Sequence, residues 1–370
     1  MTQHPLVCLG VLGQSPWYDF ITRHLVRSGE LARLIRDEGL KGMTSNPTIF
    51  EKAISGSSDY DEDIATLAGR GATAAEIVEA LAVADVQAAC DVFRPVFDAS
   101  GRGDGTVSLE VAPTLANDTE ATIAEAERLW ARVNRPNVLI KIPGTLAGVP
   151  AIAHCLSQGI NINVTLLFSV ERYRMVKDAF FRGLETRATR GLPIDQVHSV
   201  ASFFVSRVDG QTDPALATLG DAGKPFMHRM AIANAIHAYE TFGQSLTTPR
   251  WQALAARGAK AQRPLWASTS TKDPSLPDTW YIEALIAPDT VNTIPPDTYA
   301  AYADHGDPHV RISIDAEREA SALLAAYEAL NVAPLAERTV FLEQDGVAKF
   351  AASWNSLLDS IEVKGRALAG

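Results

Sequence analysis

A lysine stands in the middle of an apolar run, VLIKIPGT, at position 141. If the run is a strand, alternation turns Lys141 to the face opposite Ile140 and Ile142. A charge inside such a run costs several kcal/mol unless it is paired or used. A free lysine amine has a pKa near ~10.4, so about one amine in ~2,500 is neutral at pH 7. Withdrawing a lysine from water lowers that value by roughly 2–4 units and frees the lone pair to attack a carbonyl. Schiff-base chemistry of this kind also needs proton carriers, and two acids sit in similar runs: Glu110 in VSLEVAP and Asp19 in PWYDF. Taken singly, each has a plainer explanation. Lys141 could be half of a buried ion pair or a snorkelling edge lysine, and either acid could satisfy a turn or an arginine. Taken together, they supply what an iminium mechanism requires. One group moves protons as the carbinolamine forms and dehydrates, and another takes a hydroxyl proton when a carbon–carbon bond breaks.

Further polar residues fall at the ends of short apolar runs: Thr44–Ser45–Asn46, Asn163 with Thr165, Ser202, and Ser268–Thr269–Ser270. In SFFVSR, Ser202 ends a run and Arg207 follows in the first turn of the next helix, where a helix N-terminus and a cation together suit a phosphate. Lys272 in ASTSTKD would add a second positive charge. A solvated surface charge is the plainer reading of either cation alone.

The elements that must hold these residues alternate along the chain. Strand-like runs are expected at 106–111, 138–142, 160–164, 199–203, 264–267 and, weakly, 290–294, with a short aromatic run at 17–20. Helices are expected at 21–37 with Gly39 as the stop, from Pro47, and at 74–97, which Pro95 should end or kink. Others are expected from Asp118 to residue 133, at 146–156, from Ser169 to about 184, across a long region at 205–257, at 316–330 and at 344–368. Seven or eight strands each followed by a helix, without a composition break, predict one parallel α/β domain over 1–370, with a C-terminal helical extension from about 331. Order alone leaves a closed (β/α)₈ barrel and an open doubly wound sheet both standing. Polar residues gathered at strand C-termini are where a barrel builds its active site.

Composition narrows the classes. The chain has 370 residues, 46% hydrophobic and 21% charged, an ordinary globular mix. Its 33 Lys+Arg against 44 Asp+Glu leave a net charge of −11, which disfavours nucleic acid or an anionic membrane as partner. No apolar run is long enough to span a bilayer, and the N-terminus lacks a secretory leader. Three cysteines, Cys8, Cys90 and Cys155, form no CxxC pair, so a reduced, cytoplasmic protein is expected. Other strings carry little. GRGDGT precedes a strand and is no dinucleotide loop, and no P-loop occurs. Arg102–Gly103–Asp104 reads as a turn, Asn163–Val164–Thr165 is a sequon without a secretory route, and the histidines form no metal pair, so no metal is expected.

The blocks LGQSPWYDFITR, GMTSNPTIF, ACDVFRPVFD, VSLEVAP, VLIKIPGT, NINVTLLFS, SFFVSR and ASTSTKD resemble, in order, those of the transaldolase family, in its longer bacterial branch. The resemblance runs from about residue 13 to 294 and more loosely beyond. It implies a class I aldolase-like (β/α)₈ TIM barrel without metal or organic cofactor. Such an enzyme moves a dihydroxyacetone unit from sedoheptulose 7-phosphate or fructose 6-phosphate to an aldose phosphate, in the pentose phosphate pathway. On it, Lys141 would be the Schiff-base lysine and Glu110 the proton shuttle, through a water held by Thr165. Asp19 would accept the hydroxyl proton, Asn46 and Ser202 would hold the dihydroxyacetone hydroxyls, and Arg207 would bind phosphate. The pocket would keep the carbanion from stray protonation until an acceptor arrives. Three departures from the shorter branch stand out: Lys272 where that branch has an arginine, the AP after VSLEV, and residues 210–263, which match no block. Sugar phosphates are the partners implied, with monomer and homodimer both open. Two rivals remain: an aldolase using free dihydroxyacetone, and a barrel that binds sugar phosphates without catalysis.

Overall fold

A computed structural model of the chain describes residues 4–369; the outermost positions of the expected 1–370 domain, 1–3 and 370, lie outside them. Eight parallel strands close into a barrel in chain order. They are β1 (Gln14–Tyr18), β2 (Gly42–Met43), β3 (Thr106–Glu110), β4 (Val138–Pro143), β5 (Ile162–Leu167), β6 (Ser199–Phe204), β7 (Arg263–Ala267) and β8 (Thr290–Ile294). The open sheet is thereby excluded. The expected weak strand is β8, which seals the barrel by pairing along its whole length with β1. β2 is only two residues long, and the buried Trp17 indole packs against it. A Cβ at Gly42 would lie 2.5 Å from that indole, so glycine is required there.

Paired residues of a parallel ladder face the same side, and this sets the contents of the barrel. Glu110 pairs with Lys141, and Lys141 with Asn163, so the three share one inward rung. Ile140 and Ile142 face outward, fully buried beneath the helical layer. Both faces of the parallel sheet are therefore covered.

Caps place many of the helix starts where the sequence puts them. Asn46, Asp118 and Ser169 each accept a backbone N–H from the first turn of their helices, Pro47–Ser55, Thr119–Val133 and Val170–Thr189. Several expectations change. The helix expected over 21–37 divides into Arg23–Arg27 and Glu30–Glu38, because Gly29 takes a left-handed conformation at φ 87° between them. Pro95 does not end its helix, which continues to Ala99 with Phe93 and Phe97 buried on either side of it. The proline removes a single N–H bond close to the helix C-terminus, and packing outweighs that loss. The long region at 205–257 breaks into Ser206–Ala217, two short 3₁₀ turns, Met230–Leu246 and Pro249–Ala255.

The last helix starts earlier than expected and is 35 residues long, Leu335–Ala369. It packs on the helices Pro47–Ser55, Asp61–Gly69, Ala74–Ala99 and Ser206–Ala217, so it lies across the C-terminal mouth of the barrel. Among the described residues no helix is long and apolar enough to cross a membrane.

Candidate active site

A cleft of about 1410 Å³ opens at the C-terminal ends of the strands. Lys141 reaches it from the middle of β4, with its side chain 4% exposed. Its Nζ stands 3.0 Å from Glu110 Oε2 on the neighbouring strand and donates to the Ser45 carbonyl at 3.1 Å. The Phe350 ring lies with its centroid 5.7 Å from the same nitrogen. Glu110 is buried behind the lysine, its side chain 2% exposed, and its Oε1 has no hydrogen-bond partner. Burial pushes this carboxyl above the ordinary range, against the pull of Lys141. An amine and a carboxyl in direct contact, both out of water, can pass a proton between them.

Asp19 follows β1 and occupies the other side of the cleft. Its Oδ1 accepts from the Thr44 hydroxyl at 2.6 Å, and Thr44 Oγ1 is itself 2.5 Å from Thr293 Oγ1. Burial raises the Asp19 pKa, while Lys141, Thr44 and Arg207 act to lower it. A carboxyl poised in this way can take a proton from a bound hydroxyl and return it. Two acids raised by burial thus flank the amine, Glu110 in contact with it from behind and Asp19 apart from it on the cleft wall.

The rest of the floor is a chain of short hydrogen bonds. Asn163 Nδ2 donates to Ser108 Oγ at 2.9 Å, and Asn163 Oδ1 accepts from Ser202 Oγ at 2.6 Å. Thr165 is fully buried on β5, yet its hydroxyl has no partner. Immediately after it, Leu166 adopts φ 59° at a register shift between Val164 and Leu167. A left-handed leucine at a bulge is backbone strain, of the sort that bends strands beside active sites. The C-terminal helix approaches closely here: a Cβ at Gly346 would come within 2.9 Å of Leu166.

Asn46 borders the cleft, but its Oδ1 is committed to capping Ile49 N at 2.9 Å. Only its amide N–H₂ is left to meet a ligand. Arg207 is the second residue of the helix Ser206–Ala217. Its guanidinium lies 5.3 Å from the Phe204 ring, and one of its terminal nitrogens is buried without a partner. Burial lowers the Arg207 pKa, opposed by Asp345 and Asp19. Buried arginine donors facing a cavity suit an anion. Lys272 stands at the exposed rim, donating to Ser270 Oγ at 2.9 Å. No helix starts at that segment; the next is Trp280–Ala284.

Sequence reasoning did not reach the part the C-terminal helix plays. Leu342, Asp345, Lys349 and Phe350 all line the cleft, although their spacing reads as ordinary amphipathic helix. Also unforeseen is His228, whose Nδ1 lies 2.8 Å from Asp213 Oδ2 at the cleft wall. Among the described residues no cluster of His, Cys, Asp and Glu is arranged to hold a metal ion.

Behind Arg207, Asp209 ties three helices together. Its Oδ1 accepts from Ala231 N at 2.7 Å and its Oδ2 from the Tyr281 hydroxyl at 2.9 Å. Burial pushes its pKa up to about 7 from the ordinary 3.8. A carboxyl raised on folding favours the native state below its unfolded pKa, and that contribution is lost as pH rises through the folded value. Asp209→Asn keeps one acceptor for Ala231 N and offers its N–H₂ to Tyr281. It should therefore remove a loss of stability between pH 4 and 7, a few kcal/mol at roughly 1.4 kcal/mol for each unit. Thermal melts of both proteins from pH 4 to 8 check this. Parallel profiles would show that Asp209 does not titrate in that window.

The family description "Transaldolase/Fructose-6-phosphate aldolase" matches residues 16–361. A protein named transaldolase from Parafrankia sp. is 52% identical over 359 residues, covering 96% of this chain and 97% of that protein. Another of the same name, from Acidothermus cellulolyticus, is 51% identical over 357 residues, covering 96% of each. Transaldolase 1 of Streptomyces avermitilis is 49% identical over 350 residues, 94% of this chain and 92% of that protein.

Proposed function

Because the chain belongs to the transaldolase/fructose-6-phosphate aldolase family, we propose that it is a transaldolase, with Lys141 forming a Schiff base to a ketose phosphate. The observation that carries this reading is the buried contact of Lys141 Nζ with Glu110 Oε2, 3.0 Å apart at the catalytic end of the barrel. The amine adds to the ketone carbonyl, and Glu110 relays the protons by which the carbinolamine loses water to become an iminium. Thr165, with a buried hydroxyl and no protein partner, is suited to hold the water of that relay. Asp19 then takes the proton of the hydroxyl on the fourth carbon. The bond between the third and fourth carbons breaks, an aldose phosphate departs, and the electron pair enters the enamine. An acceptor aldose phosphate reverses these steps, and hydrolysis of the new iminium restores the lysine.

Ser202, fixed by Asn163, and the free amide N–H₂ of Asn46 hold the hydroxyls of the three-carbon unit. Arg207 takes the phosphate, with Lys272 as a second, solvated cation at the rim. On this reading sedoheptulose 7-phosphate and fructose 6-phosphate are the donors, and glyceraldehyde 3-phosphate and erythrose 4-phosphate the acceptors. The pathway is the pentose phosphate route of the cytoplasm. The helical extension from about 331 is taken as part of the same domain, closing the site with Phe350 over the lysine. Burial of the lysine favours transfer over release, since the enamine formed on it is held apart from bulk water until an acceptor enters.

The test supplies sedoheptulose 7-phosphate with and without glyceraldehyde 3-phosphate. A transaldolase forms erythrose 4-phosphate and fructose 6-phosphate only when both are present. Steady release of dihydroxyacetone without acceptor would instead mark an aldolase. In the same assay Arg207→Ala should raise KM for phosphorylated acceptors about 10- to 100-fold, the worth of charge-assisted hydrogen bonds at roughly 1.5–3 kcal/mol. KM for unphosphorylated glyceraldehyde should stay unchanged. Equal effects on both acceptors would remove Arg207 from phosphate binding.

A further inference from the structure

The turn Arg102–Gly103–Asp104 has no part in the mechanism above. It lies at the opposite, N-terminal mouth of the barrel, beside a second cavity of about 310 Å³. Strand beginnings wall this cavity: Thr106 opens β3, Ser199 opens β6 and Arg263 opens β7. Three residues that line it each carry a polar atom that is buried without a hydrogen-bond partner. The atoms are Trp17 Nε1, Thr106 Oγ1 and His198 Nε2, in side chains 0%, 3% and 8% exposed. Orphaned buried polar atoms are uncommon, because each forfeits about 1–3 kcal/mol of hydration. Three around one cavity mean that something polar belongs in it.

The mouth of the cavity shows what charge that occupant carries. Arg102, Lys260 and Arg263 gather there, against Asp289. Arg263 is already engaged, donating to Asp104 Oδ1 at 2.9 Å, Ser15 Oγ at 2.9 Å and Gly103 O at 2.7 Å. Asp104 also accepts from Ser15 Oγ at 2.6 Å and lies 3.5 Å from Lys41, so its charge is spent locally. Lys260 donates to the Gly101 carbonyl, and with Arg263 it clasps the turn on both sides of Arg102. Among the described residues the Arg102 guanidinium itself has no acceptor. Its backbone is held at φ 71°, a conformation that a bulky residue adopts only when its surroundings impose it. Burial, Lys260, Arg102 and Arg263 together push the His198 imidazole down to about 4, with Asp195 opposing. The histidine is therefore neutral at pH 7, with one nitrogen available to a ligand.

We propose that this cavity is a second binding site, for a small hydroxylated phosphate monoester. The phosphate lies between Arg102 and Lys260, and the hydroxyls reach His198, Thr106 and Trp17. A tail of three or four carbons fits the volume, near the lower end of the ligand-pocket range of ~300–1,000 Å³. Trp17, on β1, lies two residues before Asp19 of the catalytic cleft. The site stands whether or not the transaldolase reading does.

Glycerol 3-phosphate is a suitable probe, since it has no carbonyl to react with an amine. Equilibrium dialysis should find two equivalents bound to the wild type. One should remain in Arg102→Gln/Lys260→Gln, with turnover unchanged, and one in Arg207→Ala. A single equivalent in the wild type, abolished by Arg207→Ala, would overturn the proposal. A second measurement covers the case in which the double variant misfolds. In the Arg207→Ala protein, glycerol 3-phosphate should slow amide exchange across residues 100–106 and 259–263 at least about fivefold. No slowing there would likewise count against the site. Inorganic phosphate should bind at least tenfold more weakly than the ester. Equal affinity would overturn the contacts assigned to the hydroxyls.

Discussion

Lys141→Met is expected to lower transfer activity by at least about 10⁴-fold, because deleting a covalent nucleophile forfeits the pathway it opens. Methionine is chosen to match the volume of the lysine stem. Removing one partner of a buried ion pair usually destabilises by about 3–5 kcal/mol, since the other charge is stranded. Here burial already raises the Glu110 pKa, so the carboxyl can protonate where it stands, and the fold should survive. Circular dichroism and a thermal melt check that premise. Borohydride reduction in the presence of fructose 6-phosphate checks the chemistry. The wild type should gain a reduced three-carbon unit on the peptide containing residue 141, and Lys141→Met should gain none. An adduct elsewhere in the chain, or activity within about a hundredfold of wild type, would remove Lys141 from the nucleophile's role.

The legible parts of this molecule are those where a local rule and the tertiary fold agree. A lysine flanked by isoleucines announces both a strand and an inward charge, and the ladder Glu110–Lys141–Asn163 puts all three on one rung. N-caps such as Asp118 and Ser169 are equally local, and their helices start where those residues stand. β2 is too short to show an alternation; what fixes it is the Trp17 indole lying against Gly42, a contact between residues far apart in sequence. Closure is a long-range fact as well. β8 reads as weak because TVNTI has polar residues in its middle, and they are tolerated because Asn292 accepts from Thr269 and Thr293 Oγ1 lies in hydrogen-bond contact with Thr44 Oγ1.

The same distinction separates the two ends of the barrel. At the catalytic end the informative residues fall inside short blocks. Phe350 and Asp345 do not, and no periodicity distinguishes a helix that covers an active site from one that merely covers a core. At the other end, GRGDG carries an ordinary turn signal. Its interest appears only once Lys260 and Arg263, more than 150 residues further along the chain, are seen bonded to its carbonyls.

The two carboxyls can be told apart by what each variant leaves on the lysine. Glu110→Gln should slow Schiff-base formation, since the group in contact with the amine can no longer relay protons; general acid–base assistance is worth about 10²–10⁴-fold. Borohydride trapping with fructose 6-phosphate should then be slow, and whatever adduct forms should be cleaved normally to the three-carbon unit. Asp19→Asn should behave in the opposite way. Its amide can still accept from Thr44, so the cleft keeps its shape, and Lys141 and Glu110 are untouched. The iminium should form at a near-normal rate but fail to lose its aldose phosphate, so reduction should trap the whole six-carbon ketose phosphate. Overall turnover should fall by about 10²–10⁴-fold in both proteins, and only the mass of the adduct and its rate of appearance separate them. A three-carbon adduct accumulating in Asp19→Asn at the wild-type rate would mean that another base breaks the carbon–carbon bond. Thr44 offers no substitute, because its hydroxyl is neutral and already shared between Asp19 and Thr293. Nor does Glu110, which is held behind the lysine.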